Sequence, residues 1–142
     1  MKRNEMREQG FFLVFENLFS ANDDMDELIE LSLQKIKFTL NDPVIRKVRR
    51  LLTMEQFRNP RIAMLATKHN IDSVQGMYRH LFSGMMDKGT LRQGDPDFLS
   101  VIYAAPVTLL IQMYDREPLR KEEAIKRIEE HFRKFAEEYG VK

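Results

Sequence analysis

The chain has 142 residues, 43% hydrophobic and 32% charged, which is the composition of one globular domain and not of a disordered chain. Lys and Arg total 23 against 22 Asp and Glu, so the net charge of +1 creates no field that attracts nucleic acid or an anionic membrane. The absence of cysteine excludes disulfides and thiolate chemistry and suits the cytoplasm. We therefore expect a single cytoplasmic domain over residues 1–142.

Helix starts are marked by three pairs of an Asx residue and a proline: Asp42-Pro43, Asn59-Pro60 and Asp95-Pro96. The Asx side chain accepts a hydrogen bond from a free backbone N–H at the helix start, and proline at the first helical position loses no hydrogen bond. Alternating β-branched runs and Asn-Gly or Asp-Gly turns are absent, so strands have no support. The sequence predicts an all-α fold, an orthogonal bundle of about six helices.

The first two predicted helices are amphipathic. Residues 3–19 place phenylalanines, among them Phe15 and Phe19, on a wide apolar face. The next helix carries Ile29, Leu33, Ile36 and Leu40 at spacings of 4, 3 and 4 and ends before Pro43.

The two following segments differ in regularity. From Pro43 to about Phe57, apolar residues including Val48 and Leu51 are predicted to face inward, with the basic cluster outward. That cluster, Arg46, Lys47, Arg49 and Arg50, is interpreted as a solvated face, with a phosphate or DNA-backbone contact as the alternative. The segment from Pro60 to Lys88 is one kinked helix or two short ones, with a break near residues 69–72 and a stop at Gly89.

Between Asp97 and Asp115 the sequence contains no charge. The run is shorter than the about 20 apolar residues of a membrane span and has Pro106 at its centre, so we predict a buried helix and no membrane contact. A helix that is apolar on all its faces must be covered by other elements on all its faces, and a domain of this size can rarely supply that cover from its own residues. We expect a second copy of the chain to complete the cover.

The last predicted helix, from about Pro118 to Tyr139, has a narrow apolar seam at spacings of 3 and 4, typical of bundle packing. Two such helices per subunit, doubled by a twofold axis, would form a four-helix interface. The predicted interface residues are Ile102, Leu109, Met113, Ile125, Ile128, Phe132 and Phe135.

The sequence lacks the motifs of common catalytic sites: it has no phosphate-binding Gly-rich loop, no nucleophile elbow and no His-Glu-x-x-His pair. We predict no catalytic residue, no metal site and no cofactor. The 9 Met and 10 Phe residues suit either plain core or an adaptable apolar cavity. If there is a pocket, we expect its wall to contain Phe15, Phe19, Phe57, Met64, Met77, Tyr78, His80 and Tyr103.

Several segments follow one another in a recognisable order: residues 51–60, residues 81–85, the loop at residues 89–97, the apolar helix and the final amphipathic helix. This order, over about residues 11–139, resembles the C-terminal regulatory domain of the tetracycline-repressor (TetR) family. The resemblance implies an effector pocket enclosed by the helices before Pro96 and a dimer interface formed by the last two. Members of that family begin with a helix-turn-helix headpiece, and no matching segment precedes Phe11. We therefore expect no direct DNA binding by this chain.

Two functions follow as hypotheses. The first is the effector-binding and homodimerisation domain of a TetR-like transcriptional regulator, with an apolar small molecule as effector. The alternative is a helical protein–protein interaction module without an internal pocket. An enzyme is not expected, because paired reactive groups are missing.

Overall fold

Asx side chains begin most of the long helices. In the computed structural model, which describes residues 24–141, the Asp24 carboxylate accepts a hydrogen bond from the Asp26 backbone N–H at 2.8 Å. Asp42, Asn59 and Asp95 each accept one from the backbone N–H two residues later, at 2.9–3.0 Å. A proline follows each of these three caps at the first helical position. The three predicted helix starts are confirmed.

The described residues form an all-α helical bundle, as predicted. Its elements are α1 (Met25–Asn41), α2 (Pro43–Glu55), α3 (Pro60–Thr67), a π-helical segment (Lys68–Gln75), α4 (Gly76–Lys88), α5 (Pro96–Arg116), a 3-10 turn (Pro118–Arg120) and α6 (Lys121–Tyr139). Within residues 24–141, β-type pairing is limited to one bridge between Leu91 and Gly140. This bridge ties the loop after α4 to the end of α6.

The π-helical segment lies where the sequence predicts a break. The chain continues helically from α3 into α4, but the hydrogen-bonded turn is wider from Lys68 to Gln75. Asn70, Asp72 and Ser73 have low helix propensity, and their side chains compete for backbone hydrogen bonds. The result is a continuous helical path with an irregular middle.

Gly89 ends α4 in the left-handed conformation, with a φ of 80°. The Thr90 N–H then donates to the Met85 carbonyl at 2.9 Å, which satisfies a carbonyl at the helix end. The predicted stop is confirmed.

The core lies where α1, α4, α5 and α6 meet. Helix α5 packs against both α4 and α6, and α6 packs against α1. The contacts at the two ends of this last pair show that the helices are antiparallel. Near one end of this pair Arg133 donates to the Glu30 carboxylate at 2.8 Å, and at the other Lys121 donates to Asn41. The four apolar residues predicted to face inward from α1 are buried: Ile29, Leu33, Ile36 and Leu40.

Helix α2 packs less deeply than predicted. None of its residues is fully buried, and Val48 and Leu51, predicted to face inward, are about half exposed. Its basic cluster is also divided: Lys47 and Arg50 are exposed, whereas Arg46 and Arg49 lie partly buried.

The apolar seam of α6 faces the core of its own subunit. Ile128 and Phe132 are fully buried and Phe135 nearly so, although only one subunit is present. Phe132 stacks on Tyr103 with ring centroids 4.3 Å apart, and Phe135 stacks on Phe82 at 5.4 Å. In this packing Ile128, Phe132 and Phe135 are covered by their own subunit, and the predicted dimer interface finds no support from their burial. The heptad spacing marks a packing face, but spacing does not distinguish packing within a subunit from packing between subunits.

Candidate functional site

Helix α5 presents one uncovered face, which we call the α5 stripe. Its members lie at helical spacings of three and four, and all are exposed: Phe98, Val101, Ala105, Leu109 and Gln112. Phe98 and Leu109 expose 59% and 62% of their surface. The opposite face of the helix, including Leu99, Tyr103 and Leu110, is buried. Within residues 24–141, the other helices therefore cover α5 on one side, and an uncharged stripe is exposed on the other.

The other predicted interface residues divide between the surface and the core. Leu109 belongs to the α5 stripe, and Ile102 and Ile125 are partly buried where the surface meets the core. Met113 is buried, so it is not available to a second copy in this packing. The end of α5 turns this side chain toward the core, so the predicted role of Met113 in an interface finds no support in this packing.

An open groove of about 590 Å³ lies between the end of α2 and the end of α5. Met54 and the largely exposed Phe57, at 91%, provide apolar surface on the α2 side. The remaining lining side chains are polar or charged: Arg50, Thr53, Gln56, Gln112, Asp115 and Arg116. Gln112 also belongs to the α5 stripe, so the groove adjoins the end of that stripe.

One ion pair fixes α2 against α5 beside the groove. The Arg49 guanidinium donates to both Asp115 carboxylate oxygens, at 2.6 and 2.7 Å, and to the Thr39 carbonyl at 3.2 Å. The side chains of Arg49 and Asp115 are only 19% and 11% exposed. Arg46 lies over the Tyr114 ring, 5.0 Å from its centroid. The sequence does not indicate this pair, because the partners are 66 residues apart.

Two of the predicted pocket residues, Tyr78 of α4 and Tyr103 of α5, belong to a packed aromatic centre. Tyr103 is fully buried, with Tyr78 and Phe132 at centroid distances of 4.8 and 4.3 Å. The two tyrosine hydroxyls donate to the Ser32 hydroxyl oxygen at 3.2 and 3.1 Å. Burial raises the pKa of Tyr78 to about 12 and raises that of Tyr103 well above its ordinary value. Both phenols therefore stay neutral and donate at physiological pH.

Lys35 lies one turn along α1 from Ser32 and is buried, with its ammonium 6.0 Å from the Tyr78 ring centroid. Burial lowers the pKa of Lys35 to about 8. Sequence reasoning missed this polar group on the apolar face of α1. The available signal was the spacing of Leu28, Ser32 and Lys35, which places both polar residues in line with the core.

The other predicted pocket residues do not form one site with Tyr78 and Tyr103. Met77 is buried in the core, His80 is exposed on α4, and Met64 exposes 73% of its surface on α3. Phe57 lines the separate groove. Phe15, Phe19 and the predicted helix over residues 3–19 lie outside the described residues.

Metal chemistry finds no support in residues 24–141, where no group of three or more His, Asp or Glu side chains is placed to hold an ion. In the same part of the chain, α5 is the one helix whose length and composition would suffice to cross a membrane. Core helices of water-soluble proteins share that length and composition, so the absence of membrane contact stays a prediction.

Comparison with protein-family models, curated proteins and solved structures gives no match for this chain, so the TetR resemblance stays a prediction from the sequence.

Proposed function

We propose that this chain is the effector-sensing and homodimerisation domain of a cytoplasmic, TetR-like transcriptional regulator. The observation that supports dimerisation is the α5 stripe, an uncharged surface on a helix whose other face belongs to the core. Contiguous apolar surface that a soluble subunit leaves open typically marks an interaction site.

A second copy is the partner that the residue order of the stripe favours. Val101 and Leu109 lie four residues on either side of Ala105, and Phe98 and Gln112 lie seven residues on either side. An antiparallel pairing of two α5 helices about a twofold axis at Ala105 would bring Val101 of one copy to Leu109 of the other. The small Ala105 side chain at the axis lets the two helices approach closely. No charge would be buried by this pairing, so it avoids the desolvation penalty of an ionic interface.

The pairing is tested by sedimentation of purified protein at micromolar concentrations. We expect a dimer for the unaltered chain and a monomer for Val101→Lys and for Leu109→Glu, each of which buries an unpaired charge. In the double variant Val101→Lys/Leu109→Glu, the introduced ammonium would face the introduced carboxylate of the other copy, and we expect dimer formation to return. Lys134→Glu, on an exposed position of α6, is the control for a change of charge and should remain dimeric.

The double variant makes the test specific for the geometry. A monomeric unaltered chain would refute dimerisation. A dimer that both single variants break and the double variant does not restore would refute the antiparallel pairing at Ala105.

The effector part of the proposal is supported by two features: the groove beside the α5 stripe, and the 9 Met and 10 Phe residues of the chain, which suit an adaptable apolar site. A thermal-shift screen against apolar and aromatic compounds tests it, because a ligand at 100 times its dissociation constant stabilises the folded state by about 2.7 kcal/mol. No stabilisation by any compound would count against effector sensing.

One observation favours the alternative, an interaction module without an internal pocket: the aromatic rings around Tyr103 fill the centre where the sequence places part of the effector site. In that case the α5 stripe binds a different protein. A monomer in sedimentation, together with an empty thermal-shift screen, is the result that this alternative expects.

A further inference from the structure

We propose that the groove between α2 and α5 binds an amphipathic anion, a molecule with one carboxylate and an apolar chain or ring. This inference specifies the effector of the proposed function and rests on its effector-binding part.

The first step of the argument is the charge of the groove. The charge of Asp115 is neutralised by Arg49, whose guanidinium donates to both carboxylate oxygens and is not itself part of the groove lining. Arg50 and Arg116 then remain as the charges of the lining, both positive. A guanidinium presents a planar set of N–H donors that matches a carboxylate, so a single anionic group is the complementary ligand feature.

The second step is the apolar surface. Met54 exposes 67% of its surface and Phe57 91%, and both line the groove beside the two arginines. An apolar chain lying on these side chains would remove them and itself from water. The methionine side chain is flexible and adapts to different ligand shapes.

The third step is size. The groove volume of about 590 Å³ falls within the range of about 300–1,000 Å³ in which proteins bind small ligands. The groove is partly open to solvent, which suits a ligand whose chain lies on a surface.

The experiment is isothermal titration calorimetry of the full chain with decanoate, at concentrations below those at which decanoate forms micelles. Decanol, which has the same chain length and no charge, is the comparison ligand. We expect decanoate to bind at least threefold more tightly than decanol, and its affinity to fall in high salt. Arg50→Gln and Arg116→Gln should each weaken decanoate binding by about three- to tenfold and leave decanol binding unchanged. Phe57→Ser should weaken both ligands. Arg61→Gln, an exposed arginine outside the groove, is the matched control.

Two results would overturn the inference. One is equal binding of decanoate and decanol, and the other is decanoate binding that none of the three groove variants changes. Circular dichroism of each variant checks the fold, and all three side chains are open to solvent in the groove, so unfolding is not expected.

The monomeric variant Val101→Lys, which changes a residue about three helical turns from the groove residue Gln112, separates this inference from the dimer proposal. Because the groove forms within one subunit, that variant should bind decanoate as the unaltered chain does. If decanoate does not bind while neutral compounds stabilise the protein in the thermal-shift screen, the result supports effector sensing and refutes the assignment of the effector to the groove. If no compound of either kind binds, the effector-binding proposal itself falls.

Discussion

Replacing Phe132 by alanine tests whether the seam of α6 belongs to the core of one subunit. The side chain is fully buried in a single copy and stacks on Tyr103, which in turn contacts Phe82 and Phe135 at centroid distances of 5.3 and 4.9 Å. Truncating a buried phenylalanine removes its transfer free energy and leaves a cavity, together about 3–5 kcal/mol. A domain of this size has an unfolding free energy of only about 5–15 kcal/mol, so a large part of its stability would be lost.

Urea denaturation followed by circular dichroism measures this loss. With a slope near 2 kcal/mol per molar urea, the unfolding midpoint should fall by about 2 M. The control is Leu109→Ala on the α5 stripe, measured at a protein concentration at which the chain is monomeric. It should cost less than about 1 kcal/mol, because Leu109 is already mostly exposed in one subunit. If Phe132→Ala costs less than 1 kcal/mol and instead dissociates a dimer, the seam lies between subunits and our reasoning is refuted.

Three further predictions concern buried polar groups. Asp115→Asn leaves the Arg49 charge with a neutral partner and should lower the unfolding free energy, measured in urea, by about 1–3 kcal/mol. A loss of less than about 0.5 kcal/mol would mean that the ion pair contributes little to stability. Ser32→Ala removes the acceptor of two buried tyrosine hydroxyls and should cost about 2 kcal/mol by thermal denaturation; an unchanged melting temperature would contradict this role. Burial lowers the pKa of Lys35 from 10.5 to about 8, so the unfolded chain keeps this proton to higher pH and stability should rise as pH increases from about 8 toward 10.5. Lys35→Met should reduce this increase in the unfolding free energy, measured by urea denaturation from about pH 7.5 to 9.5. An unchanged dependence of the unfolding free energy on pH would show that another group is responsible.

The local structure of the chain could be predicted because it depends on neighbouring residues. Asp42, Asn59 and Asp95 cap their helices through backbone groups two residues away, and the stop at Gly89 requires only a left-handed residue after the last turn. The apolar face of α1 follows from its spacing. These features need no knowledge of what packs against them.

The candidate site was less predictable, because it depends on which faces meet. Periodicity showed that α6 has a packing face, but the fold directs that face inward and leaves the α5 stripe exposed. The groove likewise lies between two helices that are distant in the chain and that Arg49 and Asp115 connect.

The sequence by itself determined the helical class, the positions of the helix starts and the uncharged character of α5, since each follows from interactions over a few residues. Only the tertiary structure decided which side of α5 is covered, which aromatic residues fill the centre and where two arginines share a groove. Burial is a property of the whole packed chain, and a helical period repeats equally well whether its apolar face meets the same subunit, another subunit or solvent.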